Sequence, residues 1–201
     1  MNIQPQEIEM VIKNFEKKEA IIEAYISIIV KSGIQKSPIA EIARVTGIAT
    51  GSVYTYFKSK NELINEAYLY VRNKEFEYVL SDDMWQKSTK EQFRQLFGGL
   101  ITFFYNNPVY FEFSDRFAEG PEITVESREE IEKFTQFTKF IDNAKKDLNI
   151  KDKSTTKLLF FLFGFVSSSS RYLFKENITL TDAILDDLLE LAWNGIGLKI
   201  L

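Results

Sequence analysis

The chain has 201 residues and a formal net charge of −4, with apolar residues at 45% and an aromatic share raised by 18 Phe and 9 Tyr. That length suffices for a small domain and a larger one, each with its own core. Cysteine and histidine are both absent, which removes any disulfide framework, any thiolate or imidazole metal site, and every Ser-His-Asp or Cys-His enzyme.

The opening stretch MNIQPQEIEMVIKNF has no apolar core flanked by lysines, as a signal peptide would. The longest apolar run, Leu158–Ser170, falls short of the ~20 residues that span a bilayer. The expectation is a soluble, cytoplasmic protein. A first helix is predicted over about Lys17–Ser32, with Ile21, Tyr25, Ile28 and Ile29 on its inner face. Residues 1–16 either extend it or form a mobile arm.

Ser37–Lys60, SPIAEIARVTGIATGSVYTYFKSK, then reads as two short helices about a tight turn. Ser37 is placed to cap the first, with Pro38 at its first position, where a missing N–H costs nothing. Ile39, Ile42 and Ala43 share one face, and Gly47 ends the helix where a left-handed residue is easiest to place. The second helix runs from about Thr50 to Phe57, with Val53 and Phe57 turned inward. Thr50, Ser52, Tyr54, Thr55 and Tyr56 are left facing outward, with Lys58 and Lys60 just beyond. A hydroxyl-rich helix followed by lysines is what a reader of the major groove needs. Between residues 36 and 60 stand Lys36, Arg44, Lys58 and Lys60 against Glu41 alone, a local +3, so the acidity lies elsewhere in the chain. Positive charge is needed only where phosphates lie.

The run Lys18–Leu63 resembles the N-terminal domain of the TetR family of one-component bacterial regulators. The resemblance rests on Ile21 and Ala24, Gly33, Ile42-Ala43, Gly47-Ile48, Gly51, Val53-Tyr54, Phe57, and Lys60 with Glu62-Leu63. Tyr25 departs from it, standing where the family usually has a small residue. Ala49 departs too, standing where a serine often caps the recognition helix; the Thr50 hydroxyl is the substitute on offer. The resemblance implies a helix-turn-helix domain over residues 1–64 and a helical ligand-binding and dimerisation domain over 65–201. It also implies that Tyr54, Tyr56 and Lys60 anchor phosphates. Thr50, Ser52 and Thr55 are assigned to base edges, Gly51 to a close approach to the groove, and Ser37 and Lys58 complete the expected DNA surface.

Further along, Ser59-x-x-Glu62 and Ser88-x-x-Glu91 are capping boxes that open two helices. The first of these helices runs to about Leu80, where Asp82-Asp83 break it. The second carries Phe93, Leu96, Phe97, Leu100, Ile101 and Phe104 at steps of three and four and stops at Asn106-Asn107. Pro108 starts a short helix, PVYFEFSDRF. AEGPEITVES reads as a loop, and a long helix is expected from about Glu126 to Leu148. Two further helices are expected over about Ser154–Lys175 and Thr181–Gly197. No segment alternates as a strand should, so the chain reads as all-α with about nine helices.

In the body, Phe97, Ile101, Phe104, Tyr105, Phe113 and Phe117 are candidates to line a pocket for a hydrophobic or flat aromatic effector. Phe134, Phe137 and Phe161 join them, with Arg116 as a polar group; the same aromatics equally suit a plain core. The last two helices are apolar nearly all round, which calls for a second buried face. A symmetric partner supplies it economically, through Phe160, Phe163, Gly164, Ser167 and Ser170 on one helix and Leu185, Leu188, Leu189 and Ala192 on the other. Adjacent acids such as Asp82-Asp83, Glu129-Glu130 and Asp186-Asp187 point apart on a helix and form no catalytic pair. Neither a Gly-rich phosphate loop nor a cofactor motif is present. The expectation is a homodimeric DNA-binding regulator, a repressor on a palindromic operator and not an enzyme. The alternative is a ligand- or partner-binding module of the same fold without specific DNA binding.

Overall fold

The computed structural model describes residues 5–33, 39–129, 135–147 and 149–198. Every regular element among them is helical, in keeping with the all-α expectation; one isolated antiparallel bridge pairs Ile150 with Gly197. The chain gathers into two compact units, Met1–Val71 with Glu112–Arg128, and Arg72–Phe111 with Glu129–Leu201.

In the first unit α1 covers Pro5–Ser32, so the helix extends upstream of Lys17 as far as residue 5. It ends where Gly33, at φ +78°, turns its N–H back to the Ile29 carbonyl at 2.9 Å, the left-handed termination that glycine adopts without strain. Helix α2 is Ile39–Thr46, and its expected cap, Ser37 with Pro38, lies outside the described residues. Gly47 follows at φ +69°, and α3 spans Thr50–Tyr56. Ile21, Ile29, Ile42, Val53, Phe57 and Leu63 are each buried in this unit.

Helix α4, Lys60–Val79, opens with the Glu62 N–H on Ser59 Oγ at 3.0 Å. The Glu62 carboxylate accepts from the Lys58 N–H at 2.5 Å, one residue earlier than in the usual box. Helix α7, Pro108–Phe117, starts at the expected proline. The stretch expected to be a loop is partly helical: α8 begins at Val125 and ends at Glu129. The cause is Thr124, whose Oγ1 accepts the Ser127 N–H at 3.2 Å and so caps it. The 112–128 segment is fastened within the unit by three polar contacts. Arg116 donates to the Val30 carbonyl at 2.7 Å, Asn65 Nδ2 donates to the Glu122 carbonyl at 3.0 Å, and the Thr124 N–H donates to Asn65 Oδ1 at 2.8 Å.

In the second unit a 3-10 turn, Met84–Gln86, follows α4. The box at Ser88 is complete, with Glu91 returning to the Ser88 N–H at 2.8 Å, and it opens α5, Thr89–Phe93. A π-turn, Arg94–Gly98, carries the chain without a break into α6, Gly99–Asn106. A Cβ on Gly99 would meet Val79 Cγ1 at 2.8 Å, so only glycine allows this approach. Helix α9 is Thr135–Lys146, α10 Thr155–Lys175 and α11 Asp182–Ile196. The long helix expected from Glu126 thus has α8 and α9 near its ends, while residues 130–134 and Leu148 lie outside the described residues. An aromatic cluster fills the unit: Phe97 meets Phe137, Phe140 and Phe163 with ring centroids 5.7, 6.0 and 6.1 Å away. Edge-on pairs of this kind add to the hydrophobic gain of burial.

Candidate nucleic-acid interface

Helix α3 divides cleanly. Val53 and Phe57 are each 1% exposed and hold it on the core. Thr50, Gly51, Ser52, Tyr54 and Thr55 are exposed, and Tyr56 is half-buried. A Cβ on Gly51 would touch nothing within 4 Å, so nothing inside the subunit requires a glycine there. The start of the helix is bare: Ala49 occupies the cap position and no side chain caps it, so the Thr50 hydroxyl does not take the role expected of it. The Thr55 hydroxyl donates to the Ser52 carbonyl at 2.6 Å, leaving its oxygen lone pairs facing out. Lys18 of α1 reaches Glu66 of α4 at 2.8 Å and lies over the Phe57 ring at 5.7 Å. This contact pins the end of α3 between two other helices.

The charges differ in availability. Lys58 is exposed and Lys60 half-buried. Arg44 is engaged by Glu41 at 2.7 Å, and the hydrogen bond from Arg44 holds the Glu41 carboxyl below the usual carboxylate range. Ser37 and Lys36 lie outside the described residues. Sequence reasoning passed over Asn14 and Lys17 of α1. Across an open groove of about 580 Å³ they face the Gly47–Ala49 turn and Ser52, Thr55 and Tyr56 of α3. The Tyr56 hydroxyl donates to Asn14 Oδ1 at 3.4 Å. The only signal in the sequence was the pair Lys13 and Lys17 at helical spacing, which has no meaning until α1 is known to start at Pro5.

The candidate effector residues come together only in part, and as packed core. Phe97, Ile101, Phe104 and Phe137 are buried in the second unit, filled by each other's rings and by Phe111 and Phe140. Tyr105 stacks on Phe174 at 6.2 Å. Phe113, Arg116 and Phe117 belong to the first unit, and Phe134 lies outside the described residues. The candidate interface residues are divided as well. Phe160 and Gly164 are exposed, and Phe163, Ser167 and Leu188 are half-buried. Ser170, Leu185, Leu189 and Ala192 are buried within their own unit. Phe161 stands 49% exposed and Leu191, not among the expected residues, 66%. The Phe161 ring lies 3.0 Å from where a Cβ on Gly195 would stand, which brings α10 and α11 close.

Two family models match the chain. Residues 21–67 match the bacterial regulatory proteins of the tetR family, and residues 70–198 match the tetracyclin repressor-like C-terminal domain. The chain belongs to the TetR family. Among curated members, the fatty acid metabolism regulator protein of Bacillus subtilis is 27% identical over 74 residues, 36% of this chain and 37% of that protein. The uncharacterized HTH-type transcriptional regulator YvdT of the same organism is 44% identical over 48 residues, 24% of this chain and 25% of its own. The chain therefore spans well under half the length of these curated relatives. A solved TetR family transcription regulator from Marinobacter aquaeolei VT8 shares the fold, with a TM-score of 0.83 at 20% identity over 92% of this chain and 97% of that one. Among the described residues no helix is long and apolar enough to cross a membrane.

Proposed function

We infer that the protein is a sequence-specific DNA-binding regulator, a repressor that reads a palindromic operator as a homodimer and leaves it when a small molecule binds the body. The observation that carries this reading is α3: a helix fixed on its core face by two buried residues, with small hydroxyls and Tyr54 exposed on the other. Such a face suits base edges and phosphates at close range. Hydroxyls and methyls discriminate bases weakly beside Arg–guanine forks, so several small contacts and DNA shape would share the specificity. The two heads of a dimer would then set the half-site spacing, near one helical turn of ~34–36 Å or a multiple.

A second copy would cover the apolar residues left exposed on α10 and α11, Phe160, Phe161 and Leu191. The aromatic body favours an apolar effector, and the name of the Bacillus subtilis fatty acid metabolism regulator points in the same direction. The chain passes between the units three times: within α4, between Val71 and Arg72; within α7, between Phe111 and Glu112; and within α8, between Arg128 and Glu129. These helices are therefore routes by which an effector can act on the head, through its differential affinity for two states.

The test is selection of bound duplexes from a random pool by the purified protein, followed by sequencing. An enriched palindrome is the expected outcome. No enrichment at low salt without effector would replace this reading by that of a binding module with a degenerate head, which the uncapped α3 and the Arg44–Glu41 pair favour.

A further inference from the structure

The helix-turn-helix motif is short of free cations. Of its four basic residues, Arg44 is paired with Glu41, Lys36 lies outside the described residues, and Lys60 is half-buried. Lys58 alone is both exposed and without a salt bridge to its ammonium among the described residues, its backbone N–H being the group that meets Glu62. Holding a duplex against salt requires several neutralised phosphates, so the charge has to come from elsewhere on the same face.

Helix α1 offers it. Lys13 and Lys17 are exposed, one turn apart on one side of the helix, and neither belongs to an ion pair found among the described residues. Lys18, by contrast, is held by Glu66. Lys17 lines the groove whose opposite wall is Ser52, Thr55 and Tyr56, the outer side of α3. Asn14 lies in the same wall and accepts the Tyr56 hydroxyl, which keeps that ring at the rim between the two helices. A duplex seated on α3 would therefore run its backbone along this wall of α1.

We propose that the upstream half of α1 is part of the DNA interface, with Lys17 and Lys13 each taking a backbone phosphate beside the segment that α3 reads. The contacts are to phosphate, so they hold the duplex in place without choosing its sequence. The inference rests on the DNA-reading function proposed above.

The experiment measures affinity against salt for the wild type, Lys17→Ala, Lys13→Ala, the double variant and Lys175→Ala, an exposed lysine of the other unit. Each protein is tested on a duplex recovered by selection and on an unrelated duplex of equal length. Because a dimer carries each substitution in both heads, each α1 substitution is expected to make the slope of log K against log salt shallower by about 1.8, and the double variant by about 3.6. The loss should be equal on both duplexes, with Lys175→Ala unchanged. If the wild type binds selectively and Lys17→Ala keeps its full slope, or if Lys175→Ala loses as much, the role of α1 is overturned and the function of α3 stands. If the wild type shows no preference between the duplexes, the DNA-reading function itself falls, and this inference with it.

Discussion

Among the described residues, two of the faces left exposed once each unit has filled its own core are chemical opposites. The outer face of α3 carries Thr50, Ser52, Tyr54 and Thr55, whereas α10 and α11 leave Phe160, Phe161 and Leu191 in the open. Both helix sets are anchored by buried residues on their other side, Val53 with Phe57 in one case and Leu162, Val166, Leu189 and Ala192 in the other. What differs is the chemistry of the residue surface. A hydroxyl face keeps its hydration until a partner offers hydrogen bonds in return, as bases and phosphates do. An apolar face gains simply by leaving water, at about 25 cal/mol per Å². The same architecture thus presents one surface suited to nucleic acid and one suited to a second copy of itself.

The largest test of that contrast is to place charge on the apolar face. Phe160→Asp with Leu191→Asp is expected to give a monomer in sedimentation where the wild type is expected to run as a dimer. Operator affinity should fall at least ~100-fold, equivalent to ~2.7 kcal/mol. An unchanged mass would end the assignment of α10 and α11 to the interface. Tyr54→Ala probes the other face. Because Tyr54 is 54% exposed, unfolding stability should stay within about 0.5 kcal/mol. Operator affinity is expected to drop more than about tenfold, since a dimer loses the contact in each half-site. Loss of stability without loss of affinity would make Tyr54 a packing residue.

The smallest effect concerns neither face and serves as the control. The Ser88 hydroxyl, then the Ser88 N–H, hold the Glu91 carboxyl below its ordinary value. A depressed carboxylate contributes its stability in full above its unfolded pKa, near ~4.3, and loses it as pH falls through the folded value. Glu91→Gln is therefore expected to flatten the acid limb of a pH–stability curve below about pH 4.3 while leaving both binding faces as they were. An acid limb as steep as that of the wild type would remove Glu91 from the cause.

What the sequence disclosed follows the range of the interaction. Val53 and Phe57 inward, Gly47 at the turn and Pro108 at a helix start were all legible, because spacing four and backbone preference act within a few residues. The Ser88 box was legible for the same reason. The grouping of Phe113, Arg116 and Phe117 with the head was not, since it depends on Arg116 reaching a carbonyl 86 residues away. Asn14 and Lys17 were missed because their neighbours across the groove, Gly47 to Tyr56, lie far downstream in the chain. Phe103, off the expected stripe, is 5% exposed and joins the core. The expected stripe kept its phase across the π-turn at Arg94–Gly98, since Phe93, Leu96, Phe97, Leu100, Ile101 and Phe104 are all buried. Phe103 lies beside that stripe and packs on Tyr78 and Tyr110, neighbours that helical spacing cannot supply.

That π-turn also sets how this part of the chain can change length. It holds one residue more than the regular helix on either side. Removing one of Arg94–Gly98 would close it to an ordinary turn and leave Phe93 on one flank and Leu100 on the other facing as they do now. A relative shorter by one residue between Ser88 and Asn107 is therefore expected to carry its gap here, inside a helix, and not in the loops where gaps are usually placed. An alignment that pushed the gap to Asn107 would shift every core position of α6 by one and make a shared core look like divergence.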